Sequence, residues 1–416
     1  MHILYGSADG LVTEGSQHLT QNTDGIEDEA EAGDLMGWSL VAGQLGNLHD
    51  TLSDLAVGAP GEDVGEAEEA GAVHAVYGSA DGLTADGDEL FTQDSPGILD
   101  IAQSGDHFGY ALTLDLGGNT PLIVSAPDED YVDAADAGVV HVIYRGIDDT
   151  LEPRAGAQMF SQGVAGIRDT KQPGDRFGLT LAPSADLVGS SANRIASSHP
   201  DLVIGVPFED LPGAADAGMV QIIPGGGRFG FTPTSDVVLT QDSPGVREVA
   251  ETGDRFGLAI TTGLFGRFRD NGGSSRAQAS LAVGVPFENL AAGRDAGMVQ
   301  VIYKKDAYSL GFDDDDAFTQ DSDLVFDQSE AGDLFGRTLA AADVAEFDAQ
   351  DLIIGVPLED LSTGADAGLV QVLRGEGNKL RRVNNIGITQ NSAGVADQAE
   401  PGDQFGRAVG NALGGG

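Results

Sequence analysis

The chain alternates between short apolar runs and longer polar stretches, in an order that repeats along its length. The apolar runs contain about five residues, are rich in Val, Ile, Leu and Ala, and are bounded by Gly, Pro, Asp and Asn. Runs of this length and composition are typical of β-strands. Apolar residues do not recur at the spacing of an amphipathic helix. The pattern therefore predicts an all-β fold built from many short strands.

A marker of the form G-D-x-F-G, with Met in place of Phe in the first copy, sets the period of the repeat. Its six copies begin at Gly33, Gly105, Gly174, Gly253, Gly332 and Gly402, and successive copies lie 72, 69, 79, 79 and 70 residues apart. Each full period holds four strand-like runs: one at the marker, one ending near G-x-P, one opening at A-G and one ending near T-Q. Four strands per period predict a β-propeller of four-stranded antiparallel blades.

The markers divide the chain, which we expect to form a single propeller, into five complete blades and two partial pieces. The complete blades are residues 34–105, 106–174, 175–253, 254–332 and 333–402. Residues 1–33 supply the third and fourth strands of one further blade, and residues 403–416 supply its first strand. We favour six blades, one of them shared by the two termini, because a closed ring removes exposed sheet edges. Seven blades with a missing part is the alternative.

Composition and charge exclude some kinds of site and argue against some kinds of partner. The 416 residues include no Cys, which excludes disulfides and thiolate metal sites, and carry a formal net charge of −46 at pH 7. No apolar run is long enough to span a membrane, so we expect no membrane insertion. The negative charge argues against nucleic acid as a partner. Three interpretations remain open: a salt-adapted surface, sites for divalent cations, or a surface for basic partners.

The opening residues, MHILYGSADG, lack the basic and apolar regions of a signal segment. We therefore expect either that a leader has been removed or that the chain is a piece of something longer.

Acidic residues recur in pairs, seven positions apart, in the segment between the second and third strands of every complete blade. The pairs are Glu62 and Glu69, Glu129 and Asp136, Glu209 and Asp216, Glu288 and Asp295, and Glu359 and Asp366. Antiparallel strands reverse direction each time, so these segments and the blade-to-blade links share one face. We expect the pairs to form an acidic binding face there. The alternative is that the acids fix turns by accepting backbone N–H bonds.

The succession of FG, G-x-P and A-G motifs resembles the FG-GAP repeat of integrin α-subunit propellers. The first full copy reads DLAVGAP from Asp54 and AGAVHAVYGS up to Ser79, after the marker glycine Gly37. Its acid-rich form is most similar to bacterial or archaeal integrin-like FG-GAP proteins, and the resemblance covers essentially the whole chain. It implies an extracellular or cell-surface adhesion module that binds a protein or other macromolecule, with Ca²⁺ as its usual cofactor.

The resemblance places calcium loops between the first and second strands, with oxygen ligands at alternate positions. The best match is DVAEFDAQD, in which Asp343 is first and Asp351 ninth, while Ala345 and Phe347 replace the ligands between them. A second partial match, GNLHDTLSD, offers only Asp50 and Asp54. These four aspartates are the candidate Ca²⁺ ligands. The separate run Asp313–Asp316 is expected to be solvated.

No constellation of residues indicates catalysis. The seven histidines have no metal-binding spacing, and the chain has neither a nucleophile elbow nor a phosphate-binding loop, so we expect that the protein is not an enzyme. We expect a module that binds a basic or cation-bridged macromolecule through acidic loops. The alternative is a structural subunit of a surface layer or filament, which self-assembles by strand exchange at the incomplete blade.

Overall fold

The described residues form two compact units. The computed structural model of the protein describes residues 1–7, 10–45, 52–114, 121–144, 151, 157–164, 166–188, 200–226, 230–269, 275–306, 309–310, 315–323, 325–344, 349–377, 379–381 and 385–410. Unit 1 comprises Met1–Ala165 and Asp169–Leu179, and unit 2 comprises Gly166–Arg168 and Thr180–Gly416.

Unit 1 contains a hairpin and two four-stranded antiparallel blades. The hairpin pairs β1 (His2–Ser7) with β2 (Gly10–His18). Blade 1 has the order β3 (Ser39–Gly43), β4 (Asp54–Ala59), β5 (Ala72–Ser79) and β6 (Gly82–Phe91). Blade 2 has the order β7 (Leu112–Leu114), β8 (Leu122–Ala126), β9 (Val139–Ile143) and β10 (Gln158–Phe160). The hairpin lies in the segment before the first marker, where two strands are predicted.

Unit 2 contains three further blades of the same up-and-down order. Blade 3 consists of β11 (Thr180–Ala185), β12 (Asp201–Val206), β13 (Met219–Ile223) and β14 (Val237–Leu239). Blade 4 consists of β15 (Ala259–Arg269), β16 (Ser275–Val285), β17 (Met298–Asp306) and β19 (Asp316–Phe318), with β18 (Ser309–Leu310) pairing the end of β17. Blade 5 consists of β20 (Thr338–Ala342), β21 (Asp351–Val356), β22 (Leu369–Leu373) and β25 (Ile386–Ile388), beside the short ribbon of β23 (Gly375–Glu376) and β24 (Lys379–Leu380).

The all-β class and the five four-stranded propeller blades are thus confirmed. The helical content of the described residues is one 3₁₀ turn at Pro233–Ser235. Accordingly, no described helix is long and apolar enough to cross a lipid bilayer. Residues 403–410 contain no strand, and the rest of the first strand predicted there lies outside the described residues.

The inner strands of the blades are apolar at successive positions because both of their faces are buried. All residues of β8, β9, β12 and β13 are buried. The marker residues Phe108, Phe256 and Phe335 each pack between consecutive blades: Phe256, for example, lies in one cluster with Val220 of blade 3 and Ile260 of blade 4. Burying a phenylalanine fully contributes about 1.5–3 kcal/mol. The marker phenylalanine is therefore a repeated packing residue.

Backbone hydrogen bonds join each complete loop between strands two and three to the marker that follows it. The loop of blade 3 accepts three such bonds from the marker that opens blade 4. The backbone amides of Gly253, Arg255 and Phe256 donate to the carbonyls of residues 215, 216 and 217, at 2.9, 3.2 and 2.8 Å. The markers at Gly105, Gly174, Gly332 and Gly402 make the same three bonds to residues 68–70, 135–137, 294–296 and 365–367. We call this contact the blade clasp.

The glycine of A-G is required where the clasp brings two backbones together. Gly218 has a φ of +85°, and a Cβ built there would lie 2.4 Å from the carbonyl oxygen of Phe256. Side chains rarely adopt that φ, and no side chain fits that distance. The glycine therefore permits both the turn and the close approach of the next marker.

We expect Gly218→Ala to be far more destabilising than Gly213→Ala. Gly213 also has a positive φ, of +97°, but a Cβ there would meet nothing within 4 Å. Left-handed strain costs about 1–2 kcal/mol at either site, whereas the clash at Gly218 adds about 1–3 kcal/mol. Urea unfolding of the two variants measures the difference in free energy of unfolding. Equal losses would show that close approach does not constrain this position.

Candidate functional site

The structure separates the two acids of every pair. The first acid is buried in all five blades: Glu62, Glu129, Glu209, Glu288 and Glu359 are at most 6% exposed. The second acid is exposed in four blades and half-buried in blade 4: Glu69, Asp136, Asp216, Asp366 and Asp295. Four of the pairs therefore present one carboxylate to solvent, and the first acid of every pair is buried.

The second acid belongs to a fixed turn. Asp216 has a φ of +49° and its amide donates to Oδ1 of Asp210 at 2.8 Å. Its carbonyl accepts the middle hydrogen bond of the blade clasp. The corresponding positive φ values, +54°, +50°, +53° and +52°, belong to Glu69, Asp136, Asp295 and Asp366. Asp tolerates this region better than most residues. The turn-fixing interpretation had the carboxylate of the paired acid accepting a backbone N–H. In this bond the accepting carboxylate is that of Asp210, and Asp216 contributes its backbone amide.

The first acid binds a glutamine from the link before its own blade. Gln241 lies just after β14, and its Nε2 donates to Oε2 of Glu288 at 2.7 Å. The same contact joins Gln21 to Glu62, Gln93 to Glu129 and Gln320 to Glu359. These glutamines were not predicted as partners of the acids, although their repetition in the T-Q motif was a signal. Each contact ties the loop of one blade to the link that enters it.

The aspartate of each marker closes the turn that precedes it. Oδ2 of Asp254 accepts a hydrogen bond from the amide of Glu251 at 2.6 Å. The equivalent aspartates accept from the residue three positions earlier in the other copies: Asp34, Asp106, Asp175, Asp333 and Asp403. In blade 4 the marker carboxylate of Asp254 lies close to that of Glu288, the first acid of the pair.

Burial raises the pKa of these clustered carboxyl groups. It raises the pKa of Glu288 to about 8, with the charge of Asp254 adding to the effect. Burial is also the main reason that the pKa of Glu62 rises to about 8 and that those of Glu129 and Glu359 rise to about 9. The pKa of Asp254 rises to about 6. Near neutral pH these junctions therefore favour a bound proton or another source of positive charge.

The candidate calcium ligands have other partners where the structure describes them. Asp54 accepts from the amides of Leu45 and Gly78, both at 2.8 Å. Asp351 accepts from the amides of residues 344 and 375, at 3.0 and 2.9 Å. Each aspartate thus pins two loops at the start of its strand. Asp343 is exposed and Asp50 lies outside the described residues. The described members do not offer a converging carboxylate set, and calcium binding there stays a prediction.

The acidic run at 313–316, which was expected to be solvated, contains a buried residue. Asp315 is 2% exposed, and its Oδ1 lies 3.1 Å from Nε of Arg247. Its Oδ2 accepts from Nε2 of Gln300 at 2.6 Å. The expectation of a solvated run is wrong for this residue, because a cation from the preceding link compensates its burial. Asp313 and Asp314 lie outside the described residues.

Comparison of the chain with models of known protein families finds no match, and a comparison with curated proteins finds no relative.

We expect the stability of the chelator-treated protein to fall as pH rises, and Glu359→Gln to weaken that dependence. The pKa of Glu359 is raised from 4.5 to about 9, so its stabilising contribution is complete below about pH 4.5 and is lost as pH rises toward 9. One such group contributes a slope of at most about 1.4 kcal/mol per pH unit. Urea unfolding at pH 5, 7 and 9 measures the slope.

The matched control is Asp366→Asn, which removes the exposed acid of the same pair. It should retain the wild-type dependence on pH. A Glu359→Gln protein with the wild-type slope would show that this carboxyl does not titrate between the folded and unfolded states as expected.

Proposed function

We propose that the protein is an integrin-like FG-GAP propeller that binds a basic macromolecule through the exposed acids of its loops between strands two and three. The observation that carries this proposal is the repeated loop conformation, which holds one carboxylate at the same position in all five blades, exposed in four of them and half-buried in blade 4. Rigid elements that present exposed loops are well suited to binding.

Charge supports a basic partner. Blade 1 exposes Glu66 and Glu68 beside Glu69, and blade 2 exposes Asp133 beside Asp136. The net charge of −46 adds a long-range attraction for cationic proteins and raises their rate of association. A cation bridging two carboxylates is a second way to hold a partner at the same loops.

The close contact of FG with G-x-P supports the FG-GAP assignment. The carbonyl of Gly257, in the marker of blade 4, accepts a hydrogen bond from Oγ1 of Thr180 at 2.7 Å. A Cβ on Gly205, the first residue of G-x-P in blade 3, would lie 2.4 Å from that same carbonyl oxygen. The two motifs thus depend on each other across one junction. An extracellular or cell-surface location and a ring of six blades, one shared by both termini, belong to this proposal.

Exposed apolar residues in unit 1 favour a second candidate, a self-assembling structural subunit. The described N-terminal sheet has two strands, and its Leu4 and Leu11 are exposed, as are Trp38 and Leu40 at the first strand of blade 1. Large apolar side chains on a short sheet suit strand exchange between copies. Light scattering distinguishes the candidates, since a subunit of this kind forms concentration-dependent assemblies that Leu4→Lys with Leu11→Lys abolishes.

We expect the loop acids of unit 1 to bind basic peptides more strongly than other surface acids do. A variant with Glu69→Gln, Asp133→Asn and Asp136→Asn should bind a labelled polyarginine peptide more weakly than wild type. Exposed charge pairs contribute about 0.2–1 kcal/mol each, so the loss should be about threefold to a hundredfold. Fluorescence anisotropy at low and high salt measures the affinity, which should fall with added salt.

The control variant carries three substitutions of exposed acids: Glu14→Gln in β2, Asp81→Asn in the turn between β5 and β6, and Asp86→Asn in β6. It changes net charge by the same amount, so it should retain most of the wild-type affinity. Equal losses in the two variants would mean that overall charge alone attracts the peptide, and the loop site would be rejected.

A further inference from the structure

Three carboxylates of unit 2 meet at the junction of blades 3 and 4. Glu251 and Asp254 lie in the link from β14 to β15, and Glu288 lies in the loop after β16. One carboxylate oxygen from each residue lies within 4.8 Å of the other two. Asp254 and Glu288 are buried, whereas Glu251 is exposed. The cluster therefore has two interior ligands and one side open to solvent.

Two oxygens at this junction are buried without a hydrogen-bond partner. They are Oδ1 of Asp254 and Oε1 of Gln241, whose residues are 0% and 1% exposed. The amide of Gln241 is already at the cluster, because its Nε2 lies 2.7 Å from Oε2 of Glu288. A half-turn of an amide exchanges its nitrogen and oxygen. Buried polar atoms normally have a partner, and these two lack one from the described protein. Oε1 of Gln93 and of Gln320 also lacks one at the equivalent places, so the unpaired Oδ1 of Asp254 is what distinguishes this junction.

We propose that Glu251, Asp254 and Glu288 bind a divalent cation of the calcium type, with Oε1 of Gln241 as a fourth oxygen ligand. Ca²⁺ takes oxygen ligands at about 2.3–2.6 Å, so one ion reaches oxygens up to about 5 Å apart. Mg²⁺ holds its ligands at about 2.0–2.1 Å in a strict octahedron. Oxygens within 4.8 Å of one another are close enough to share an ion of the calcium size, and the exposed side at Glu251 admits water as further ligands.

The electrostatics of the junction favour a cation. Burial first, and then the charge of Asp254, raise the pKa of Glu288, and Glu248 and Glu251 add to the effect. The charges acting on Asp254 are also those of acids, Glu251 and Glu248. A divalent ion would compensate this negative charge directly. It would also give the unpaired oxygens of Asp254 and Gln241 a partner.

The junction between blades 1 and 2 provides a comparison within the same chain. Gln103 occupies the position that Glu251 has in blade 4, because its backbone amide donates to the marker carboxylate of Asp106 at 2.7 Å. The Nε2 of Gln103 donates to Oε1 of Glu129 at 3.1 Å. At this junction the side-chain amide of Gln103 is a donor for the buried Glu129. At the junction of blades 3 and 4 the same position holds a third carboxylate, that of Glu251. Glu251→Gln would therefore convert the proposed cation site into the amide-bound form.

The test is the number of calcium ions bound per chain, measured by equilibrium dialysis with radioactive Ca²⁺ at pH 8 after chelator treatment. The full chain is used, with excess Mg²⁺ present to exclude octahedral sites. Glu288→Gln should bind one ion fewer than wild type, and Glu251→Gln should bind that ion at least tenfold more weakly. The melting temperature should rise with Ca²⁺ in wild type and rise less in both variants.

Glu66→Gln, which neutralises an exposed loop acid of unit 1, is the control and should bind the wild-type number of ions. Glu288→Gln resembles the protonated carboxyl, so it should fold and unfold at least as well as wild type in chelator. The wild-type number of ions in Glu288→Gln, or no bound Ca²⁺ in wild type, would overturn the proposal. Loss of polyarginine binding is a separate outcome, because the exposed loop acids of unit 1 are not among these ligands.

Discussion

The blade clasp is the contact on which the repeated features of the chain depend. Three backbone amides of one marker reach the loop of the preceding blade, and this requires two backbones to approach without a Cβ between them. The approach selects glycine at positions such as Gly218 and places Asp216 in a left-handed turn. Because the same turn recurs in all five complete blades, the clasp also determines where the exposed carboxylates lie.

The clasp has an electrostatic cost, because it buries acids near one another. In blade 4 the first acid of the pair and the marker aspartate enter the junction together, and burial raises the pKa of both Glu288 and Asp254. Neutral side-chain donors offset the burial at two junctions, Gln241 at Glu288 and Gln103 at Glu129. An amide donor stabilises a carboxylate without adding charge. A proton or a cation is then needed to neutralise the remaining charge.

The repeat made the fold predictable, but the separate roles of the acids were not. Strand order followed from four apolar runs per period, and the structure confirms it. Seven-residue spacing cannot show that Glu288 is buried and Asp295 half-buried, because its partner Gln241 lies 47 positions away. Asp315 was missed for the same reason: the compensating Arg247 is 68 positions away and belongs to another blade's link. Local patterns predict strands and turns, whereas burial of a charge depends on residues brought together by the fold.

The two acids of a pair differ in how their charge interacts with the surroundings. An exposed carboxylate such as Asp216 interacts through water, so its interactions are screened by salt and leave the fold largely unchanged. A buried one such as Glu288 couples any change of charge to the packing of two blades, because its partner Gln241 belongs to the link between them. One loop therefore carries a surface group suited to binding and an interior group suited to stabilisation by protons or cations. Their separation follows from the turn that the clasp imposes between them.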